Sequence, residues 1–242
     1  MKPTAISADV LFEAFRGQLR WQWLCQNTVG LDPYQKTDTK RSLDIGSSSG
    51  EFVYRLHTLG YQAKGIEPHQ GYATYARNML GIDINNGTLQ HCLANEAPSS
   101  FDLISMFHVL EHLPDPVAAL RTIGEKLKSE GLLYIEVPNA MRLCSPNYMF
   151  FKAHTLYFTG HTLRTLLEKS GFKVVAHNPD NLDNLSLLAQ YVNSNNASPL
   201  SDTSHPLVSA QNARQWAPYL LQQLRDGQPM RKWRVHQEEK RT

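Results

Sequence analysis

Hydrophobic residues between positions 41 and 192 alternate between short runs typical of strands and longer stretches with the three-to-four-residue spacing of helices. The predicted strands are Ser42–Ile45, Ala63–Glu67, Ile82–Ile84, Asp102–His108, Leu132–Val137, Val174–His177 and Leu185–Tyr191. The predicted helices are Glu51–Leu59, Gly71–Leu80, a helix that Asp115 caps with Pro116 at its first position, and Thr162–Ser170.

Strands that alternate with helices at this spacing form βαβ units, in which the strands pair in parallel. Right-handed crossovers then place helices on both faces of the sheet. Ligands of such sheets bind beyond the carboxyl ends of the strands. We therefore expect the turn after Asp44, the strand end at Glu67 and the strand end at Phe107–His108 to meet at one pocket.

The two ends of the chain differ in character from residues 41–192, which we expect to form one domain. Residues 1–40 predict a helical cover followed by a polar loop. Residues 193–242 predict a linker rich in Asn, Ser and Pro, a short helix over Ala213–Leu224 and a basic tail. The apolar face of the first helix consists of Leu11, Phe12, Phe15, Leu19, Trp23 and Leu24.

The composition limits which binding partners and which cellular compartments we expect for this chain. The 242 residues include 24 Lys and Arg against 22 Asp and Glu, so the net charge of +2 gives no strong nucleic-acid signal. No apolar run approaches the roughly 18 residues of a membrane span. The three cysteines form no CxxC pair, which favours a reducing compartment and a cytoplasmic location. The sequence carries no signal for the oligomeric state.

The segment Asp44–Gly50 joins a strand to a helix and allows three interpretations. A dinucleotide site needs glycines where Ser48 and Glu51 stand, and an acid at a helix start would repel a pyrophosphate. A serine hydrolase is a second interpretation, because Ser48 lies at the centre of a G-x-S-x-G pattern. However, only 45 residues precede this pattern, too few for the strands that normally come before such a nucleophile.

The third interpretation is a nucleoside cofactor that carries a positive charge and no phosphate. Asp44 places a carboxylate at the first strand end, where it favours a nearby cation. Glu67 at the second strand end can accept hydrogen bonds from both ribose hydroxyls. An acidic pocket of this kind suits a sulfonium and not a phosphate.

The runs Leu43–Gly50, Gly65–Pro68 and His108–Pro116 together resemble class I S-adenosylmethionine-dependent methyltransferases, in particular the ubiquinone-type O-methyltransferase and small-molecule methyltransferase branch. Ser48 replaces the middle glycine of that family's first motif. The resemblance implies an α/β, Rossmann-like, doubly wound fold with a mostly parallel seven-stranded sheet, an antiparallel last strand and helices on both faces. It also implies S-adenosyl-L-methionine as cofactor and a small-molecule acceptor. The implied cofactor-binding residues are Asp44, Gly46, Gly50, Glu67, Thr88, Leu89, Phe107 and His108.

Methyl transfer to a hydroxyl needs a base that removes the proton, and the candidates are His154, His108 and His112. His154 is the preferred base, because residues 150–159 resemble a segment that lies over the acceptor in this branch. The predicted acceptor-binding residues are Asn139, His154 and Tyr157. An acceptor cavity at these residues would separate an enzyme from a protein that only binds the cofactor.

Glu111 and His112 admit two interpretations. In ubiquinone-type relatives this region takes part in divalent-metal binding with an upstream acid, but His108 stands at that upstream position. Magnesium prefers oxygen ligands. We therefore predict no metal, with Glu111 and His112 capping and orienting the loop before Pro116.

Overall fold

The computed structural model describes residues 8–28, with side chains from residue 15, and residues 39–141, 154–180 and 182–192. Within this part of the chain, seven strands form one sheet. They are β1 Arg41–Ile45, β2 Gln62–Glu67, β3 Asp83–Asn86, β4 Phe101–Phe107, β5 Leu127–Pro138, β6 Phe172–His177 and β7 Asn184–Tyr191. Their order across the sheet is β3-β2-β1-β4-β5-β7-β6.

The parallel core and the antiparallel last strand of the predicted sheet are both confirmed. Strands β1 to β5 pair in parallel, and β7 lies antiparallel between β5 and β6. Strands β2 and β3 lie on one side of β1, and the chain then crosses to β4 on its other side, so the strand order reverses at β1. Such a switch point opens a crevice beyond the carboxyl ends of the strands. In the described residues, no helix is both long and apolar enough to cross a membrane.

Six α-helices of the described chain flank the sheet. They are α1 Ala8–Gln26, α2 Glu51–Thr58, α3 Gln70–Tyr75, α4 Leu89–Ala94, α5 Pro116–Lys126 and α6 Gly160–Lys169. A π-helical turn, Ala76–Leu80, extends α3. Residues of α1, α2 and α3 belong to one hydrophobic core, and residues of α4, α5 and α6 belong to another, so both faces are covered as predicted.

The two cores explain how β1 aims a charged side chain at the crevice. Leu43 and Ile45 pack into the core with α4, α5 and α6. Successive side chains of a strand point to opposite faces, so Asp44 faces the α1–α2 side. There, Trp21 of α1 packs into one core with Phe52 of α2. Helix α1 is therefore part of the packed fold, while the domain boundaries at residues 40 and 192 stay predictions.

Several element boundaries differ from those predicted. Helix α4 is absent from the prediction, since its six residues cover less than two turns and show no repeated apolar spacing. Thr88 caps this helix by accepting a hydrogen bond from His91 N. Helix α6 begins at Gly160 instead of Thr162, because Thr159 and Thr162 form a reciprocal capping pair. Strand β5 begins at Leu127, where an irregular register continues its pairing with β4.

Some predictions fall on residues outside the described part of the chain. They are the side chains of Leu11 and Phe12, the polar loop before residue 39, the first residues of the 150–159 segment, and the linker, short helix and basic tail of residues 193–242.

Candidate active site

The carboxyl ends of β1, β4 and β5 enclose a cavity of about 490 Å³, which we call the first cavity. Its volume falls in the range of sites that hold small molecules and cofactors. Its lining residues are Arg16, Arg20, Asp44, Gly46, Ser47, Ser48, Glu51, Phe52, Phe107, His108, His112, Pro138 and His154. The lining thus brings together the strand ends at Asp44 and Phe107 and all three candidate histidines.

The turn after β1 needs left-handed backbone at three positions. Gly46 has a φ of 72°, and a Cβ there would overlap the Val109 side chain. Gly50 has a φ of 86° and lies against Ile82, outside the cavity lining. Ser48 keeps the left-handed conformation with a φ of 49°, although it carries a side chain. The turn therefore keeps its left-handed backbone at the position where Ser48 replaces a glycine.

Asp44 is a buried carboxyl group on the wall of the first cavity. Burial raises the pKa of Asp44 to about 7, although the hydrogen bond from Ser105 and the charge of Arg20 act to lower it. Ser105 Oγ donates to Asp44 Oδ1 at 2.6 Å. A cation bound in the cavity would favour the ionised form of Asp44.

Glu67 contacts the same turn, but it does not line the first cavity. Its Oε2 accepts a hydrogen bond from Ser48 N at 2.8 Å, and its Oε1 accepts one from His69 N at 2.7 Å. A carboxylate has about four lone-pair sites, so each oxygen keeps the capacity to accept another bond. The strand end at Glu67 therefore reaches the turn after β1 without lining the pocket that Asp44 and Phe107–His108 share. The ribose role of Glu67 stays a prediction.

Thr88 and Leu89 lie at the start of α4, away from the residues that line the first cavity. The Thr88 hydroxyl caps the helix, and the Leu89 side chain packs into the core with α5 and α6. Both residues therefore have structural contacts in this conformation. Their predicted position beside the adenine stays a prediction.

Two arginines of α1 line the first cavity and are missing from the predicted site. Arg16 and Arg20 lie one helical turn apart, and this spacing is the sequence signal that could have found them. The Arg20 guanidinium donates to Glu136 Oε1 at 2.7 Å and lies 4.0 Å from the ring centre of Phe107. A positive charge on α1 is thereby fixed between the cavity and β5.

A buried carboxylate lies at the centre of the three histidines. Glu111 is 1% exposed, and its Oε1 lies 3.6 Å from His108 Nδ1 and 3.8 Å from His154 Nε2. The rings of His112 and His154 lie 4.8 Å apart. The Glu111 carbonyl accepts hydrogen bonds from the N–H groups of Thr155 and Leu156, which holds the His154 segment against this turn.

His108 connects this cluster to the Arg20–Glu136 pair. Its Nε2 lies 3.2 Å from Glu136 Oε1, and its φ of 56° is left-handed. Burial acts to lower the pKa of His108, but Glu111 and Glu136 outweigh it and raise that pKa. Burial likewise acts to raise the pKa of Glu136, but His108 and Arg20 lower it to about 2. His108 thus lies between two acids that favour its protonated form.

Asn139 and Tyr157, the other predicted acceptor residues, do not line the first cavity. The Asn139 amide nitrogen donates to the carbonyls of Asp180 and Leu182, and its oxygen accepts from Met141 N. Tyr157 is 47% exposed. In this conformation Asn139 stabilises loops, and the acceptor roles of both residues stay predictions.

Comparison with known proteins decides the family. A family described as "Methyltransferase domain" matches residues 18–177, about two thirds of the chain. The chain belongs to this methyltransferase family. A crystal structure of a SAM-dependent methyltransferase from Archaeoglobus fulgidus has the same fold, with a TM-score of 0.59, 19% identity, and coverage of 76% of this chain and 99% of that one.

Two curated relatives of the methyltransferase differ in their named substrates. A tRNA U34 carboxymethyltransferase from Aliarcobacter butzleri is 28% identical over 175 residues, which cover 67% of this chain and 57% of that protein. A ubiquinone biosynthesis O-methyltransferase from Stutzerimonas stutzeri is 27% identical over 113 residues, which cover 45% of this chain and 49% of that protein. The chain therefore spans about half the length of these relatives.

The cofactor that this methyltransferase family and fold imply is S-adenosylmethionine, and the first cavity fits it. The carboxyl groups of Asp44 and Glu51 suit a sulfonium and an ammonium group, while Arg16 and Arg20 suit a carboxylate. Gly46 meets the left-handed backbone of the turn and leaves room for the Val109 side chain beside it. The lining thus offers both signs of charge to a zwitterionic cofactor.

The methyltransferase also has a group of side chains with metal-binding potential. The ligand atoms of Glu111, His112 and His154 all lie within 4.8 Å of one another. His108 does not belong to this group and faces Glu111 and Glu136. Two imidazoles and one carboxylate suit transition metals better than magnesium. The absence of a metal stays a prediction.

Proposed function

We propose that this methyltransferase transfers the methyl group of S-adenosylmethionine to a hydroxyl group of a small-molecule acceptor. One observation carries the proposal: a single cavity joins the acidic glycine turn at Asp44 to a wall that holds His108, His112 and His154. The first part suits the cofactor, and the second part offers proton acceptors to an acceptor hydroxyl.

Asp44, Gly46 and the arginines of α1 would hold the methionine part of the cofactor. Phe107 would contact it from β4, where the ring is packed edge-on against Phe52 at 5.0 Å. Glu67, Thr88 and Leu89 would hold the ribose and adenine after local rearrangement, since none of them lines the first cavity. Bound S-adenosylmethionine supplies a methyl group activated by a positively charged sulfur.

His154 would act as the base. A ring nitrogen of His154 would take the hydroxyl proton of the acceptor, and the bound cofactor would supply the methyl group to the acceptor oxygen. Glu111, 3.8 Å from His154 Nε2, would stabilise the resulting imidazolium. His108 is a weaker base candidate, because Glu111 and Glu136 raise its pKa and favour its protonated form. His112 would orient the His154 ring.

The acceptor in this proposal is a small molecule in the cytoplasm. A cavity of about 490 Å³ must hold the reacting parts of both cofactor and acceptor, and the chain's net charge is only +2. The buried Cys92 carries a thiol outside any disulfide, which agrees with a reducing compartment. The relative named for tRNA makes RNA the competing acceptor class.

Calorimetry with S-adenosylmethionine and S-adenosylhomocysteine tests the cofactor part of the proposal. We expect both to bind with micromolar dissociation constants and release of S-adenosylhomocysteine when a suitable acceptor is present. Folded protein that binds neither at millimolar concentration would contradict the proposal. A fluorophosphonate probe provides the control for the hydrolase alternative, and it should leave Ser48 unlabelled, because no described histidine hydrogen-bonds the Ser48 hydroxyl.

A further inference from the structure

A second cavity of about 450 Å³ lies beside the first, between α1 and the β5–β7 part of the sheet. Arg16 and Arg20 line both cavities, so the two spaces share a wall. In the β5–β7 register, Asn184 of the second cavity is paired with Pro138 of the first. The second cavity therefore begins next to the acceptor side of the first.

Three side-chain amides contribute to the polar lining of the second cavity, together with Arg16, Arg20, Glu136 and Ser186. Gln22 and Gln26 come from successive turns of α1, and Asn184 comes from the start of β7. Among the described residues, these three side-chain amides have no hydrogen-bond partner. Each amide offers both donors and an acceptor. Neighbouring hydroxyl groups of a ligand are donors and acceptors too, so they match this lining.

The same cavity also has an apolar surface. The rings of Trp23 and Tyr134 are stacked with centroids 5.0 Å apart, and both residues line the cavity. Leu19 lies beside them and is 45% exposed. A pyranose ring combines apolar C–H faces with a rim of hydroxyl groups. An aromatic and aliphatic surface next to unpaired amides matches both parts of such a ring.

The charges of the second cavity disfavour a phosphate backbone. Arg20 is paired with Glu136 at 2.7 Å, and its guanidinium lies over Phe107. Glu136 itself lines the second cavity and adds a negative charge to it. Binding of nucleic acid relies on several cations that neutralise phosphates. The described lining offers mixed charge instead, which suits a neutral polar ligand.

We propose that the second cavity is a glycosyl subsite. The methyl acceptor is a sugar or glycoside whose ring lies against Trp23 and the three amides, while its reacting hydroxyl reaches the histidines of the first cavity. This inference rests on the proposed methyl transfer and names the chemical class of its acceptor.

Saturation-transfer difference NMR on the full chain with S-adenosylhomocysteine tests the subsite. The probes are methyl β-D-glucopyranoside, methyl β-D-galactopyranoside and methyl α-L-rhamnopyranoside. We expect ring-proton signals from at least one glycoside, with a loss of about fivefold in the double variant Gln22→Ala/Gln26→Ala. Gln18→Ala is the matched control, because Gln18 lies on the same helix outside both cavities and should leave the signals unchanged.

Separate results distinguish this subsite from the proposed function. If calorimetry shows S-adenosylhomocysteine binding but no glycoside gives a signal, the subsite is wrong and the methyl-transfer proposal stands. If glycosides bind but the cofactor product does not, the methyl-transfer proposal and the acceptor role both fail, and only glycoside binding to the second cavity stands. Catechol signals in place of glycoside signals would overturn the subsite. So would micromolar tRNA binding at about 0.15 M salt that the double variant abolishes.

Discussion

Arg20 of α1 donates a hydrogen bond to Glu136 of β5 at 2.7 Å, across 116 residues of sequence. The two side chains are only 13% and 12% exposed, so little solvent screens the pair. Glu136 also accepts contacts from His108 and Ser186. The Glu136 carboxylate therefore connects α1, His108 of the first cavity and strand β7.

We expect Glu136→Gln to lower the free energy of unfolding by about 3 kcal/mol, because removing one partner leaves a buried charge uncompensated. Urea unfolding measures the loss. Arg164→Gln is the matched control, since its pair with Asp180 at 3.0 Å is exposed and should contribute less than about 1 kcal/mol. Equal losses in the two variants would mean that burial of the Arg20–Glu136 pair has no energetic role.

The pKa of Asp44 predicts how cofactor affinity depends on pH. A group with a pKa of about 7 goes from about one tenth ionised at pH 6 to about nine tenths at pH 8. Since a bound cation favours ionised Asp44, we expect the dissociation constant of S-adenosylmethionine to fall about tenfold over this range. Calorimetry at both pH values tests this, and Asp44→Asn should flatten the profile. A flat profile in the wild type would contradict the prediction.

The same carboxyl group predicts the pH dependence of stability. The pKa of Asp44 is raised in the folded state from 3.8 to about 7, so the folded state binds the proton more tightly. Its stabilising contribution is complete below pH 3.8 and is lost as the pH rises towards 7. At pH 8 we expect Asp44→Asn to raise the free energy of unfolding by about 2–4 kcal/mol without ligand. Thermal unfolding at pH 5 and 8 checks the sign.

Glu67 should contribute to cofactor affinity through its carboxylate. We expect Glu67→Ala to weaken S-adenosylmethionine binding by more than about tenfold, since two hydrogen bonds to the ribose would be lost. Asn86→Ala is the control at the same strand end, because Asn86 donates only to the carbonyl oxygens of Glu67 and Pro68. Wild-type affinity in Glu67→Ala would show that this carboxylate does not hold the ribose.

Variants of His154 and Glu111 should have different effects on the kinetics of methyl transfer. With an acceptor that the wild type turns over, we expect His154→Ala to lower kcat/KM by at least about 10²-fold, with unchanged cofactor affinity. Glu111→Gln should lower kcat by a smaller factor with unchanged cofactor affinity, because the Glu111 carboxylate would stabilise His154 once it has taken the proton. His161→Ala on the exposed part of α6 is the control. An unchanged kcat in Glu111→Gln would limit Glu111 to a structural role.

The sequence predicted the sheet because each buried strand is a compact apolar run between recognisable turns. Leu43 and Ile45, for example, are buried on one face of β1 while Asp44 alternates to the other. Helix α4 escaped prediction, since Leu89, Cys92 and Leu93 cover less than two turns. A short helix depends on tertiary packing, which no local period shows.

The part of the candidate site that could be predicted consists of residues that belong to a local sequence motif at a strand end. Asp44 lies in the last two residues of β1, Gly46 and His108 directly follow β1 and β4, and all three line the first cavity. Arg20 and Glu136 were missed because their contact is long-range, and neither residue belongs to a local motif. Glu67 was found by its place at a strand end, yet its hydrogen bonds to Ser48 and His69 could not be read from spacing.

Arg16 and Arg20 line both cavities, so we expect ligands in the two cavities to influence each other's binding. A ligand that attracts Arg16 or Arg20 in one cavity changes the positive potential that a ligand meets in the other. Thermodynamic linkage makes that influence equal in both directions, so occupancy of either space alters affinity in its neighbour by the same factor. The complex with both cavities occupied is then the same whichever ligand binds first, and only the populations of the two singly occupied forms differ.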